Sequence, residues 1–121
     1  VEAMYIANRK TFLEMPEGTV FAKYQPCIFG ELMVKGETWS NDFLYQSFGW
    51  IETDEEPFIV LSKMEKSQVV RCPVDTSMRR DGLFDEDQLF AIYETEDIKA
   101  IINTLTTRYT VLLALEENKQ R

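Results

Sequence analysis

Carboxylates are the side chains this sequence supplies most freely for chemistry. It has 21 Asp and Glu against 13 Lys and Arg, and no histidine. The commonest general base is therefore absent, and neither a Ser-His-Asp nor a Cys-His arrangement can be built. The five glycines do not stand at the spacing of a phosphate-binding loop. A metal site would need oxygen ligands alone, and Asp85, Glu86 and Asp87 are the candidates. That run lacks the alternating ligands, central glycine and terminal glutamate of an EF-hand loop, and it reads as a solvated acidic turn. Two carboxylates facing a sugar would suit a glycosidase, but nothing singles out one pair among so many. Cys27 and Cys72 have no Cys or His neighbour at metal-ligand spacing. Arg71 is the one positive neighbour of Cys72, and an inert thiol is expected there. The residues thus point away from catalysis: no catalytic group, cofactor or metal is expected.

The arrangement of charge is more informative. Between Lys35 and Lys63 stand six acids and no base: Glu37, Asp42, Glu52, Asp54, Glu55 and Glu56. From Asp81 to Asp97 stand seven more, again without a base. If Glu52, Asp54, Glu55 and Glu56 share one end of the fold with Asp85, Glu86 and Asp87, they form a negative patch. Such a patch steers a basic protein partner and imitates the spaced charges of a nucleic-acid backbone. The formal charge of -8 repels nucleic acid and anionic membrane directly. Solvated acids at strand ends without a partner are the plainer alternative.

The elements that position these residues read as follows. Asn8 caps a short helix through Glu14, which Pro16 stops. Thr19 to Tyr24, Ile28 to Val34 (ended by Gly36) and Phe43 to Ile51 are strand candidates rich in β-branched and aromatic residues. Pro57 opens a helix over Phe58 to Gln68, although the run Phe58 to Leu61 suits a strand equally. Val69 to Gly82 reads as loop, and Leu89 to Tyr93 as a fourth strand. Thr95 then caps a helix with Glu96 and Asp97 in its first turn. On that helix Ile98, Ile101, Ile102, Leu105, Tyr109, Leu112 and Leu113 recur at helical spacing. Val111 and Leu115 fall off the stripe and suggest a dimer seam, though a helix covered on two sides within the monomer gives the same pattern. From Glu116 the charged tail is expected to fray. The fold class is α+β: an antiparallel sheet of about four strands with helices packed on it and a long C-terminal helix. Residues 1–121 form one domain. Trp39, Phe43, Tyr45, Phe48 and Trp50 crowd into twelve positions; core packing explains most of them, but two buried tryptophans are unusual in so small a domain, so one is expected to mark a contact surface.

No apolar run approaches the ~20 residues that span a bilayer, and Val1 to Lys10 lacks the order of a signal peptide. The cytoplasm is the expected location. The segments Met15-Pro-Glu-Gly-Thr-Val-Phe, Phe29-Gly-Glu-Leu-Met-Val-Lys-Gly and Asp81-Gly-Leu-Phe-Asp-Glu-Asp-Gln-Leu-Phe-Ala-Ile-Tyr-Glu resemble small phage- or prophage-encoded proteins of unknown function. The resemblance covers about a quarter of the chain. It implies a phage accessory role, such as an inhibitor that occupies the nucleic-acid site of a host enzyme. The expectation is a non-enzymatic acidic protein-binding module that engages a basic surface. The alternative is an assembly protein forming a homodimer through its aromatics and last helix.

Overall fold

A computed structural model of the chain describes residues 3–51, 56–66, 69 and 74–119, with backbone alone at Trp50 and Ile51. The chain runs through β1 (Tyr5–Ala7), α1 (Arg9–Leu13), β2 (Val20–Gln25), β3 (Ile28–Phe29), β4 (Met33–Trp39), β5 (Asp42–Ser47) and β6 (Trp50–Ile51). It continues through α2 (Pro57–Glu65), β7 (Val74–Asp75), β8 (Met78–Arg80), β9 (Leu89–Ile92) and α3 (Thr95–Lys119). Among the described residues seven strands form one antiparallel sheet in the order β1-β9-β2-β4-β5-β8, with β3 paired to β2, and β6 pairs separately with β7. The α+β class and the long C-terminal helix agree with the sequence reading. The sheet of about four strands is corrected to seven.

The added strands have identifiable origins. β1 is three residues long and pairs with β9 from Tyr5↔Ile92 to Ala7↔Phe90. β8 falls inside the stretch expected as loop. It adds to the sheet edge with Arg79 opposite Tyr45 and Arg80 opposite Leu44, a charged edge of the kind that resists further strand pairing. Gly36 does not end its strand but lies inside β4, at a register shift between Lys35 and Thr38. A Cβ there would stand 2.9 Å from the Met78 sulfur and 3.0 Å from Leu44 Cβ, so glycine leaves room for the Met78 side chain of β8 and for Leu44 of β5. α2 begins at Pro57 as expected and ends at Glu65, short of Gln68. The charged tail is helical to Lys119 rather than frayed.

The core lies on one face of the sheet. Phe21, Phe43 and Phe90 point from β2, β5 and β9 to that face, and α1 lays Phe12 on top of them. All four rings are fully buried. Phe12 stacks on Phe90 with centroids 4.0 Å apart and meets Phe21 at 4.6 Å and Phe43 edge-on at 5.0 Å. A helix of five residues is too short to persist alone. α1 is held by its Asn8 cap, which accepts the Thr11 amide at 2.9 Å, and by Phe12 as a plug. Strand alternation sends Val20, Ala22, Val34, Leu44 and Ala91 to the opposite face.

Phe12→Ala removes the only α1 ring from this cluster and should destabilise the protein by about 3–5 kcal/mol. Urea unfolding followed by tryptophan fluorescence measures it; Asn8→Ala should cost about 1 kcal/mol in the same assay.

Candidate functional site

Three sets of residues have the exposure or chemistry to act, and the acidic turns come first. Glu52, Asp54 and Glu55 lie outside the described residues. Glu56 is exposed and occupies the N-cap position of α2, without a side-chain cap bond. Asp85, Glu86 and Asp87 are exposed on the connection between β8 and β9. Asp85 orders that turn itself: its Oδ1 accepts the Asp87 amide at 3.0 Å and its carbonyl accepts the Gln88 amide at 3.2 Å. Asp85 and Asp87 flank a hollow of about 280 Å³ with Tyr24, Pro26 and Gln88, while Glu86 borders a separate one with Arg9 and Phe84. The three acids therefore diverge. Among the described residues no ion pair engages them, and no group of His, Cys, Asp or Glu is arranged to hold a metal.

Two other acids from the base-free segments have a different fate. The Asp81 side chain is 2% exposed and receives Lys23 Nζ at 2.6 Å, with Arg9 3.7 Å away. Arg9 is itself buried, donates to the Asn41 carbonyl at 2.5 Å and lies over the Phe43 ring. Asp42 is buried, pairs with Arg80 and accepts the Gly82 amide at 3.0 Å. Gly82 adopts φ +67°, a backbone form that a side chain would strain. Burial by itself would raise the Asp42 carboxyl. The Arg80 hydrogen bond, the Gly82 and Phe43 amides and the Arg80 charge outweigh it and hold the group below the ordinary carboxylate range. Lys35 is 2% exposed and donates to Gly36 O at 3.1 Å and Thr38 Oγ1 at 2.5 Å. Desolvation lowers its pKa against the opposing pull of Glu17. These charges staple α1 to the sheet and to the turn after β8. They contribute little outward field.

The third set is α3. The helix begins where Ile98 N–H donates to the Glu94 carbonyl at 3.0 Å, and Asp97 closes the start by accepting the Glu94 amide at 2.8 Å. A 25-residue helix is about 37 Å long, and none of its residues is buried. Ile98, Ile101, Ile102 and Leu105 look across an apolar groove of about 380 Å³. Val20, Leu32, Val34 and Phe48 form its other wall, on the side of the sheet away from the phenylalanine core. Farther along, Leu105 is 63% and Tyr109 64% exposed, and Val111, Leu112, Leu113 and Leu115 are exposed as well. Trp39, the tryptophan whose side chain is described, is also exposed. The apolar period of α3 was evident in the sequence. The four residues across the groove were not, because they belong to three separate stretches of chain. No described helix is long and apolar enough to cross a membrane. Cys27 is an exposed free thiol, and Cys72 lies outside the described residues.

No protein-family model, curated protein or solved structure matches the chain.

Replacing the Asp42 carboxylate tests the stapling role. Asp42→Asn should cost about 2 kcal/mol at neutral pH. The folded pKa lies below the unfolded one, so the stabilisation is complete above the unfolded value of about 3.9 and is lost as pH falls through the folded value. The gap between the wild type and Asp42→Asn in urea midpoints should therefore be constant above about pH 5 and close below about pH 4.

Proposed function

We propose that the protein is a non-enzymatic protein-binding module that docks a polypeptide along α3. The observation that carries this reading is a long helix with an apolar stripe and no buried residue. Soluble domains keep contiguous apolar surface of this kind small unless something covers it. The helix is also a poor candidate for standing alone. Thr104, Thr106, Thr107, Thr110 and Val111 are β-branched and lose side-chain freedom in a helix. Thr104 and Thr110 turn their hydroxyls back onto the Ala100 and Thr106 carbonyls, at 2.9 and 3.0 Å. That bond competes weakly with helical geometry. Packing against a partner supplies what intrinsic propensity does not. Amphipathic helices of this type recognise partners through residues at helical spacing, here Ile102, Leu105, Tyr109 and Leu112.

A second reading has its own observation. Asp85, Glu86 and Asp87 are exposed and lack ion pairs among the described residues. They support engagement of a basic, nucleic-acid-binding surface of a host protein, in the manner of a phage inhibitor that mimics nucleic acid. The formal charge of -8 would speed that encounter. Asp42 and Asp81 do not add to it, being buried beside Arg80, Arg9 and Lys23.

Affinity capture from the cell of origin separates the two. The bait is the full chain, and co-purification of any polypeptide counts, a second copy included. Leu105→Glu with Leu112→Glu should abolish capture, while Asp85→Asn with Glu86→Gln and Asp87→Asn should leave it within about twofold. Loss with the acidic variant alone, together with release of the partner in half-molar salt, would establish the second reading instead.

A further inference from the structure

The reading of α3 as a docking surface leaves its occupant open, and the following inference rests on that reading. We propose that the occupant is a second copy of this chain, with its α3 antiparallel to the first. Three features of the helix lead there.

The first is the spacing. Ile98, Ile102, Leu105, Tyr109 and Leu112 follow one another in alternating steps of four and three, the seam of a two-stranded coiled coil. Antiparallel pairing sets Ile102 against the partner's Leu112 and Leu105 against the partner's Tyr109. The same layers recur by symmetry at the other end.

The second is charge. Between Ile98 and Leu115 the helix carries Lys99 and Arg108 and no acid, and its acids gather at the two ends. The antiparallel register brings Lys99 beside the partner's Glu116 and Glu117, and Lys119 beside the partner's Glu96 and Asp97. A parallel register would place Lys99 against Lys99 and the glutamates against themselves, which repels. Antiparallel pairing also sends the two acidic bodies to opposite ends, which matters at a formal charge of -8 per chain.

The third is the groove. Its helical wall is Ile98, Ile101, Ile102 and Leu105, in the first half of α3. The surplus apolar surface lies in the second half, from Tyr109 to Leu115. Antiparallel pairing lays one chain's surplus over the other's hollow, with the partner's Leu112 and Leu113 entering beside Ile101 and Ile102. Parallel pairing leaves both hollows empty.

Sedimentation velocity of the full chain over a range of concentrations tests the proposal. The wild type should sediment as a dimer that persists in half-molar salt, and Leu112→Glu as a monomer with unchanged cooperative unfolding of the sheet body. Lys99→Glu should raise the dimer dissociation constant about tenfold, because each end pair occurs twice and turns repulsive. Adding Glu116→Lys and Glu117→Lys to the Lys99→Glu chain should restore it, since an antiparallel dimer then regains opposite charges at both ends. A monomer at millimolar concentration would overturn the proposal and leave α3 docking to stand or fall by capture of a different protein. A dimer untouched by Leu112→Glu would overturn it as well. So would a dimer that Lys99→Glu does not weaken, because parallel helices exchange one like-charge contact for another.

Discussion

The fold depends on one side chain, Phe12, closing one face of the sheet. Its ring lies 4.0 Å from Phe90 and within 5.0 Å of Phe21 and Phe43, and together the four rings fill the core. α1 is five residues long and exists to deliver that ring. A helix so short covers one face and no more. On the opposite face Ala22 and Ala91 are buried but Val20, Val34 and Leu44 are only half-buried, and α3 runs past them without burying any of its own residues. The hydrophobic effect acts on that remaining surface as strongly as on the core. The exposed stripe of α3 lies on the side of the sheet away from the phenylalanine core.

The charged residues divide along the same line. Arg9, Lys23, Asp81, Asp42 and Arg80 lie around the Phe12 core and hold the turn after β8 against α1. Each of the two acids is matched by at least one base beside it, so they serve position and add little to the negative field. The exposed acids of the β8–β9 connection direct negative charge outward. α3 between Ile98 and Leu115 carries neither function: it has two basic residues and is otherwise uncharged. A helix cleared of acids on so acidic a chain is suited to approach another surface, where body-to-body repulsion would otherwise dominate.

The elements set by local signals were legible in the sequence. Asn8 before a short apolar turn, Pro57 at a first helical position and the stripe from Ile98 all announce themselves within a few residues. Strand pairing was less so. β1 is three residues next to a helix cap, and β8 is Met78 with two arginines, so neither shows alternation of apolar and polar side chains. Gly36 looked like a terminator because its role depends on Met78, more than forty positions away. The acids Asp81 and Asp42 looked free for the same reason: Lys23 is 58 residues from Asp81, and Arg80 is 38 from Asp42. Counting charges along the chain sees neighbours in sequence and misses partners across the sheet. The stripe on α3 was visible, but its spacing is the same whether it faces a sheet or another helix. Structure alone separates those cases.

The central claim is that the second half of α3 is ordered by contact with another chain. Amide hydrogen exchange along α3, read at low and high protein concentration, tests it most directly. Amides from Thr106 to Glu117 should exchange rapidly in dilute solution and become protected as concentration rises, while those around Phe21 and Phe90 stay protected throughout. Protection of Thr106 to Glu117 that is already full in dilute solution, or absent at every concentration, would contradict the account.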